Sequence, residues 1–175
     1  FVDAPVLGSV QPAEERKLII FAGGERHIVE EVRPILSLLG EKIFYVGQNG
    51  KGSAMKLVMN LMLGVFLAGA SEALHLAEKL EIPAEILSEV ARIAPILSPS
   101  LQKKIPRMLA GDAPTTFRLR HMVKDLRLIL QTAEKAGILL PLTAQALQHF
   151  SSAEEMGLGA NDYSSVWQYV KTLKR

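Results

Sequence analysis

The chain has 175 residues, of which 49% are hydrophobic, with a mean hydropathy of +0.20, so it carries ample apolar surface for a packed core and does not read as disordered. Its 20 basic and 18 acidic side chains give a net charge of +2 and are interspersed, which leaves no electrostatic footprint for nucleic acid. No cysteine is present, so a disulfide scaffold and a thiolate zinc site are excluded and a cytoplasmic setting is expected.

The chain opens directly on an apolar, strand-like segment without an initiator Met, and is read as a piece of a longer protein. Phe1 to Val10 lacks the charged region and apolar core of a signal peptide. Short apolar runs bounded by Gly and Pro predict strands at Phe1 to Leu7, Lys17 to Ala22 and Lys42 to Val46. Gly23-Gly24 ends the second strand. Glu25 to Leu39 predicts a helix interrupted at Pro34, with Gly40 as a left-handed terminator. Gly47 to Gly52 resembles a phosphate-cradling loop only loosely and lacks the Walker pattern; it reads as a flexible hinge.

From Lys51 the pattern is helical. Lys51 to Leu80 contains no proline and predicts a helix of roughly 45 Å running through the middle of a domain. Its apolar run, Leu57 to Ala70, is interrupted by Asn60 and is shorter than the roughly 17–25 residues of a membrane span, so no membrane is expected. Gly64 and Gly69 are expected to admit a neighbouring helix. Further helices are predicted at Ala84 to Ile93, Leu101 to Ala110 (kinked or delayed by Pro106), Leu119 to Ala136, Leu142 to Met156 and Tyr163 to Leu173. The basic ending Lys171 to Arg175 suits a solvated helix terminus. The fold class is therefore α/β plus all-α: the tail of an α/β sheet over 1–50, then a multi-helix domain over 51–175 built on one long helix.

Lys56 and Asn60 lie four apart and share a helix face in an otherwise apolar stretch. Desolvation lowers a Lys pKa and makes it a usable proton donor or acceptor. The competing reading is a Lys snorkelling at the domain edge and an Asn capping backbone. Lys124-Asp125 reads either as a surface charge cluster or as an acid that pairs with a cation or accepts a hydrogen bond from a substrate. His27, His75, His121 and His149 have no ligand spacing, so each is read as a surface or interface side chain and no metal is expected.

Five segments, in order, resemble the β-hydroxyacid dehydrogenase family, which includes 3-hydroxyisobutyrate dehydrogenases and glyoxylate and succinic semialdehyde reductases. They are Asp3-Ala4-Pro5-Val6 with Gly8; Pro12-Ala13-Glu14 leading to Gly23-Gly24; Gly52-Ser53-Ala54-Met55-Lys56 with Asn60; Glu72-Ala73 with Leu76-Ala77; and Lys124-Asp125-Leu126. Phe117, eight residues before Asp125, and Gly157-Leu158-Gly159 with Asp162-Tyr163-Ser164 resemble the glyoxylate/succinic semialdehyde reductase branch.

The resemblance implies an N-terminal Rossmann domain that binds NADP or NAD, with NADP preferred. It also implies a helical domain that closes the substrate cleft and forms a homodimer or higher oligomer. The Gly-x-Gly-x-x-Gly fingerprint is absent, so the main cofactor site is expected outside this chain, and the chain alone is expected to be inactive. It further implies Lys56 as the catalytic proton donor or acceptor. Gly8, Ser9, Asn60, Phe117 and Asp125 would contact a small aldehyde acid or hydroxyacid, and Lys124 the cofactor. One position departs: Leu7 stands where the family usually has a carboxylate-binding Ser, a loss worth about 1.5–3 kcal/mol. A catalytically inactive, dehydrogenase-derived dimerisation or scaffold domain is the alternative, since some relatives lose the Lys. An imine reductase on the same fold is a third reading.

Overall fold

The structure is a computed structural model that describes residues 1–174; Arg175, the last residue of the basic ending, lies outside the described residues. It comprises two compact units, residues 1–60 and 61–175, which part inside a helix between Asn60 and Leu61.

The first unit is built on a three-stranded sheet in the order β1-β2-β3, with β1 Val6–Leu7, β2 Leu18–Gly23 and β3 Gly40–Gly47. β1 runs antiparallel to β2, with Val6 opposite Ile20, and β2 runs parallel to β3, with Phe21 opposite Phe44. The expected first strand is broken up. Pro5 has no N–H to give the ladder, so regular pairing is confined to Val6–Leu7, and Asp3 joins separately through a bridge to Gly23. A helix missed in the sequence, α1 Val10–Glu14, separates β1 from β2.

Parallel strands need a crossover, and α2 Arg26–Leu36 supplies it, burying Val29. Pro34 does not interrupt α2 as expected; it sits in the last turn, where it removes one hydrogen bond, to the Glu30 carbonyl, with only two residues of helix beyond it. Gly40 is no left-handed terminator either. It opens β3, and a Cβ there would meet the Leu18 carbonyl oxygen, so the need is for close strand approach.

α3 spans Lys51–Lys79. Asn60 does not divide its apolar stretch: by length and composition α3 is long enough and apolar enough to cross a membrane, a test that core helices of soluble proteins also pass. Beyond residue 60 it joins α4 Ala84–Ile93, α5 Pro99–Ala110, α6 Leu119–Lys135, α7 Pro141–Glu155 and α8 Val166–Val170 in the second unit. Leu119, Met122, Leu126, Ile129 and Ala133 form the buried stripe of α6, and Leu67, Phe150 and Val166 are fully buried in the same unit.

Pro106 does not delay α5. That helix starts at Pro99 because the Ser98 hydroxyl accepts from Leu101 N–H and Pro is suited to the first helical position. The predicted last helix is divided into a 3-10 turn, Tyr163–Ser165, and the short α8.

Only one of the two helix glycines makes a close approach. A Cβ on Gly64 would stand 3.0 Å from both Leu126 Cδ2 and Met122 Sδ of α6, whereas Gly69 has nothing within 4 Å. Gly64→Leu is therefore expected to lower stability by about 1–3 kcal/mol through overpacking. Gly69→Ala is expected to raise it by about 0.5–1 kcal/mol through helix propensity. Urea unfolding of the two variants at concentrations where the chain is monomeric checks the contrast; shifts of the same sign would refute it.

Candidate active site

The N-terminus of α3 is held by a residue far away in sequence. The two Asp3 carboxylate oxygens accept from Gly50 N–H at 2.8 Å and Ser53 N–H at 2.7 Å. Burial works to raise the Asp3 pKa but is outweighed by the Ser53 and Gly50 donors, leaving it below its ordinary value. Gly52 lies flush against this arrangement. A Cβ there would meet the Phe21 carbonyl oxygen and would come within 2.8 Å of the Asp3 carbonyl. The segment 47–52, expected as a hinge, is thus pinned, and the division between the units falls after Asn60 instead.

One turn beyond Gly52 stands Lys56, and one turn beyond that Asn60, so the capped end sets both on one helix face. Lys56 is half-buried and Asn60 is buried. In the same unit, Gly8 and Ser9 form the turn between β1 and α1. Gly8 has φ +133°, and a Cβ would lie 2.7 Å from Leu18 Cδ2, so only glycine suits the position. The Ser9 hydroxyl makes no capping bond to α1. Leu7 belongs to β1, opposite Ile19.

The second unit carries the other three expected site residues. Asp125 on α6 is only 7% exposed, so it is not part of a solvated cluster, while the exposed Lys124 ammonium lies 2.8 Å from its Oδ1. Phe117 immediately precedes the N-cap of α6. Its ring meets Tyr163 edge-on at 5.7 Å and tilts against His121 at 5.9 Å. His27 and His121 are exposed, but His75 and His149 are partly buried, each with a buried Nδ1. They pack against Trp167 and Tyr169 respectively. Among the described residues no group of three or more His, Asp or Glu could hold a metal ion.

A cluster that no sequence spacing reveals lies beside Phe117. Asp162, 2% exposed, pairs with Lys104 at 2.7 Å and also accepts from the Thr116 and Phe117 amides and from the hydroxyls of Thr116 and Ser164. Burial acts to raise its pKa, but the Lys104, Ser164 and Thr116 donors prevail and hold it below 3.8. A depressed carboxylate pKa stabilises the fold fully above the unfolded value and loses that contribution as pH falls through the folded value. The urea midpoint of the wild type should therefore fall more steeply below pH 3.8 than that of Asp162→Asn. Parallel pH profiles would remove Asp162 from this role.

The comparisons with known proteins agree with one another. Residues 50–170 match the family model described as NAD-binding of NADP-dependent 3-hydroxyisobutyrate dehydrogenase, and residues 1–47 match that of the NAD binding domain of 6-phosphogluconate dehydrogenase. The chain belongs to the 3-hydroxyisobutyrate dehydrogenase-like β-hydroxyacid dehydrogenase family. It is 37% identical to glyoxylate/succinic semialdehyde reductase 1 of Arabidopsis thaliana, over 98% of this chain and 59% of that protein. It is 34% identical to cytokine-like nuclear factor N-PAC of Aedes aegypti, over 95% of this chain and 30% of that protein. The crystal structure of 3-hydroxyisobutyrate dehydrogenase from Salmonella typhimurium matches with a TM-score of 0.87 at 30% identity, covering 95% of this chain and 59% of that one. The chain thus spans about half to three fifths of the length of the reductase and dehydrogenase relatives it matches.

Proposed function

We propose that this chain is the C-terminal part of an NAD(P)-dependent oxidoreductase that interconverts a small hydroxyacid and its aldehyde acid, of the glyoxylate or succinic semialdehyde kind. The observation that carries this is the placement of Lys56 and Asn60 on one face of the Asp3-capped helix α3, in a chain of this family. Residues 1–50 would close the dinucleotide domain, and 51–175 would form the substrate and dimerisation domain.

The residues present fit a dinucleotide at one point. The exposed Lys124 ammonium is tethered to Asp125 through a single oxygen and keeps donors for an anionic group. A bound nicotinamide supplies or accepts the hydride. Lys56 Nζ gives a proton to the substrate carbonyl oxygen in reduction, and its positive charge stabilises the oxyanion that develops there. Asn60 hydrogen-bonds the substrate and orients Lys56. The amides of Gly8 and Ser9 receive the substrate carboxylate, with the Ser9 hydroxyl partly replacing the one that Leu7 lacks. Phe117 and Asp125 line the substrate side.

A second copy is the natural cover for the exposed apolar stripe of α3, where Met62, Phe66 and Leu76 are each at least 40% exposed. This supports a homodimer through the helical unit.

The test is to restore the upstream region and follow NADPH and NADH oxidation with a panel of short aldehyde acids. Turnover that Lys56→Ala abolishes is expected; intact, folded protein without such turnover would overturn the reading. A second reading, an inactive dehydrogenase-derived scaffold, is favoured by Leu7 and by the similarity to a protein named as a nuclear factor. A folded dimer that binds neither dinucleotide would support it.

A further inference from the structure

The Asp162 cluster has no part in the proposed chemistry, yet it is the most heavily bonded carboxylate described in the second unit. Oδ1 accepts from Lys104 Nζ at 2.7 Å, Ser164 Oγ at 2.6 Å and Ser164 N–H at 3.0 Å. Oδ2 accepts from Thr116 N–H at 2.9 Å, Thr116 Oγ1 at 3.0 Å and Phe117 N–H at 3.3 Å. One oxygen is thus fixed to α5 and the 3-10 turn, and the other takes hold of the backbone at Thr116 and Phe117. The strand-like approach continues on both sides: Tyr163 N–H donates to the Phe117 carbonyl at 2.7 Å, and Leu119 N–H donates to the Asn161 carbonyl at 2.9 Å. Tyr163 closes the arrangement, with its ring edge-on to Phe117 and Lys104 Nζ 4.5 Å from its centroid. Burial and the Asp162 charge raise the Tyr163 pKa, so its phenol stays protonated.

A solvent-facing loop residue does not need six donors on one buried carboxylate, and a buried ion pair is weak evidence for stability by itself. What the pair does here is fix a backbone position, residues 116–117, and with it the direction of one ring. The geometry points to Asp162 as a positioning residue, held by Lys104, that sets Phe117 for the substrate. The inference rests on the proposed role of Phe117 and deepens it.

The experiment uses the full-length protein and compares wild type, Asp162→Asn, Thr116→Val, Phe117→Ala and the double variant Asp162→Asn/Phe117→Ala. Asn keeps one acceptor; the Lys104 ammonium and the Ser164 hydroxyl hold it on the Oδ1 side, so the side-chain NH2 faces the Thr116 and Phe117 amides and that backbone is released. For Asp162→Asn, KM for the aldehyde acid is expected to rise roughly 10- to 100-fold, with kcat and the dinucleotide KM changed less than about threefold. Thr116→Val removes one of the six donors and leaves the ion pair. It should raise the same KM by about two- to fivefold, and it remains informative if Asp162→Asn fails to fold.

In the double variant the two KM effects should not multiply, because once the ring is gone its placement has no consequence. Amide exchange at Thr116 and Phe117 should accelerate in Asp162→Asn while the α6 amides stay protected. If Phe117→Ala raises KM but the double variant shows the product of the single effects, the positioning role is wrong and the substrate role of Phe117 stands. If Phe117→Ala leaves KM unchanged, the substrate role itself fails and the inference falls with it.

Discussion

Replacing Lys56 by Ala in the full-length protein is expected to lower kcat by roughly 10²–10⁴-fold, the usual contribution of a positioned general acid or base. The dinucleotide KM should stay within about twofold of wild type, since Lys56 is assigned to the substrate oxygen and not to the cofactor. Lys56→Arg should fall nearly as far. A guanidinium keeps the positive charge, but it does not release a proton near neutral pH. A small alkylamine added to Lys56→Ala should restore part of the lost turnover, and the same amine should do nothing for Lys56→Arg, whose side chain still fills the space. A Lys56→Ala enzyme that keeps more than about a tenth of the wild-type kcat would mean that the proton comes from elsewhere.

The second large effect is expected at Gly52. Its missing side chain faces the backbone carbonyls of Phe21 on the central strand and of Asp3, and the Asp3 carboxylate that is itself held by the Gly50 and Ser53 amides. Gly52→Ala should therefore destabilise the chain by about 2–3 kcal/mol, in spite of the better helix propensity of Ala. The obstruction can be relieved only by moving the first turn of α3 away from the sheet, and Lys56 is the next residue on that face. Activity in the full-length protein should then fall by more than the loss of folded protein explains. Urea unfolding and kcat on the folded fraction measure the two effects. An unchanged unfolding midpoint would mean that the close approach is not maintained in solution.

The parts of this molecule legible from its sequence are those whose signals are local. Lys56 and Asn60 stand out because two polar residues at helical spacing interrupt a run of Met, Leu and Val. The helices α3, α4, α6 and α7 follow from their periodicity and from the Gly and Pro that bound them. What escaped the sequence depends on residues far apart along the chain. The segment 47–52 looks like a hinge when its glycines are read alone; its acceptors come from Asp3, 47 and 50 positions away from the amides it binds. Lys104 and Asp162 are 58 positions apart, and nothing in either neighbourhood marks them as partners. Asp162 also explains why the last helix is shorter than its composition suggests. Its side chain caps the 3-10 turn at Ser164, so regular α-helix begins only at Val166. Pro34 and Pro106 mislead for the opposite reason: each removes only one hydrogen bond, and both helices run on through it.

The Asp3 cap also limits where this polypeptide can be cut. Both acceptors for the start of α3 come from the third residue, and Asn49 Nδ2 donates to the Phe1 carbonyl at 2.8 Å. Trimming three residues would leave the amides of Gly50 and Ser53 without their partners while removing nothing usually counted as part of an active site. Any shortened version of this chain should therefore keep Phe1 to Asp3. A pull on residues 1–3 is felt at the helix that bears Lys56 through one carboxylate.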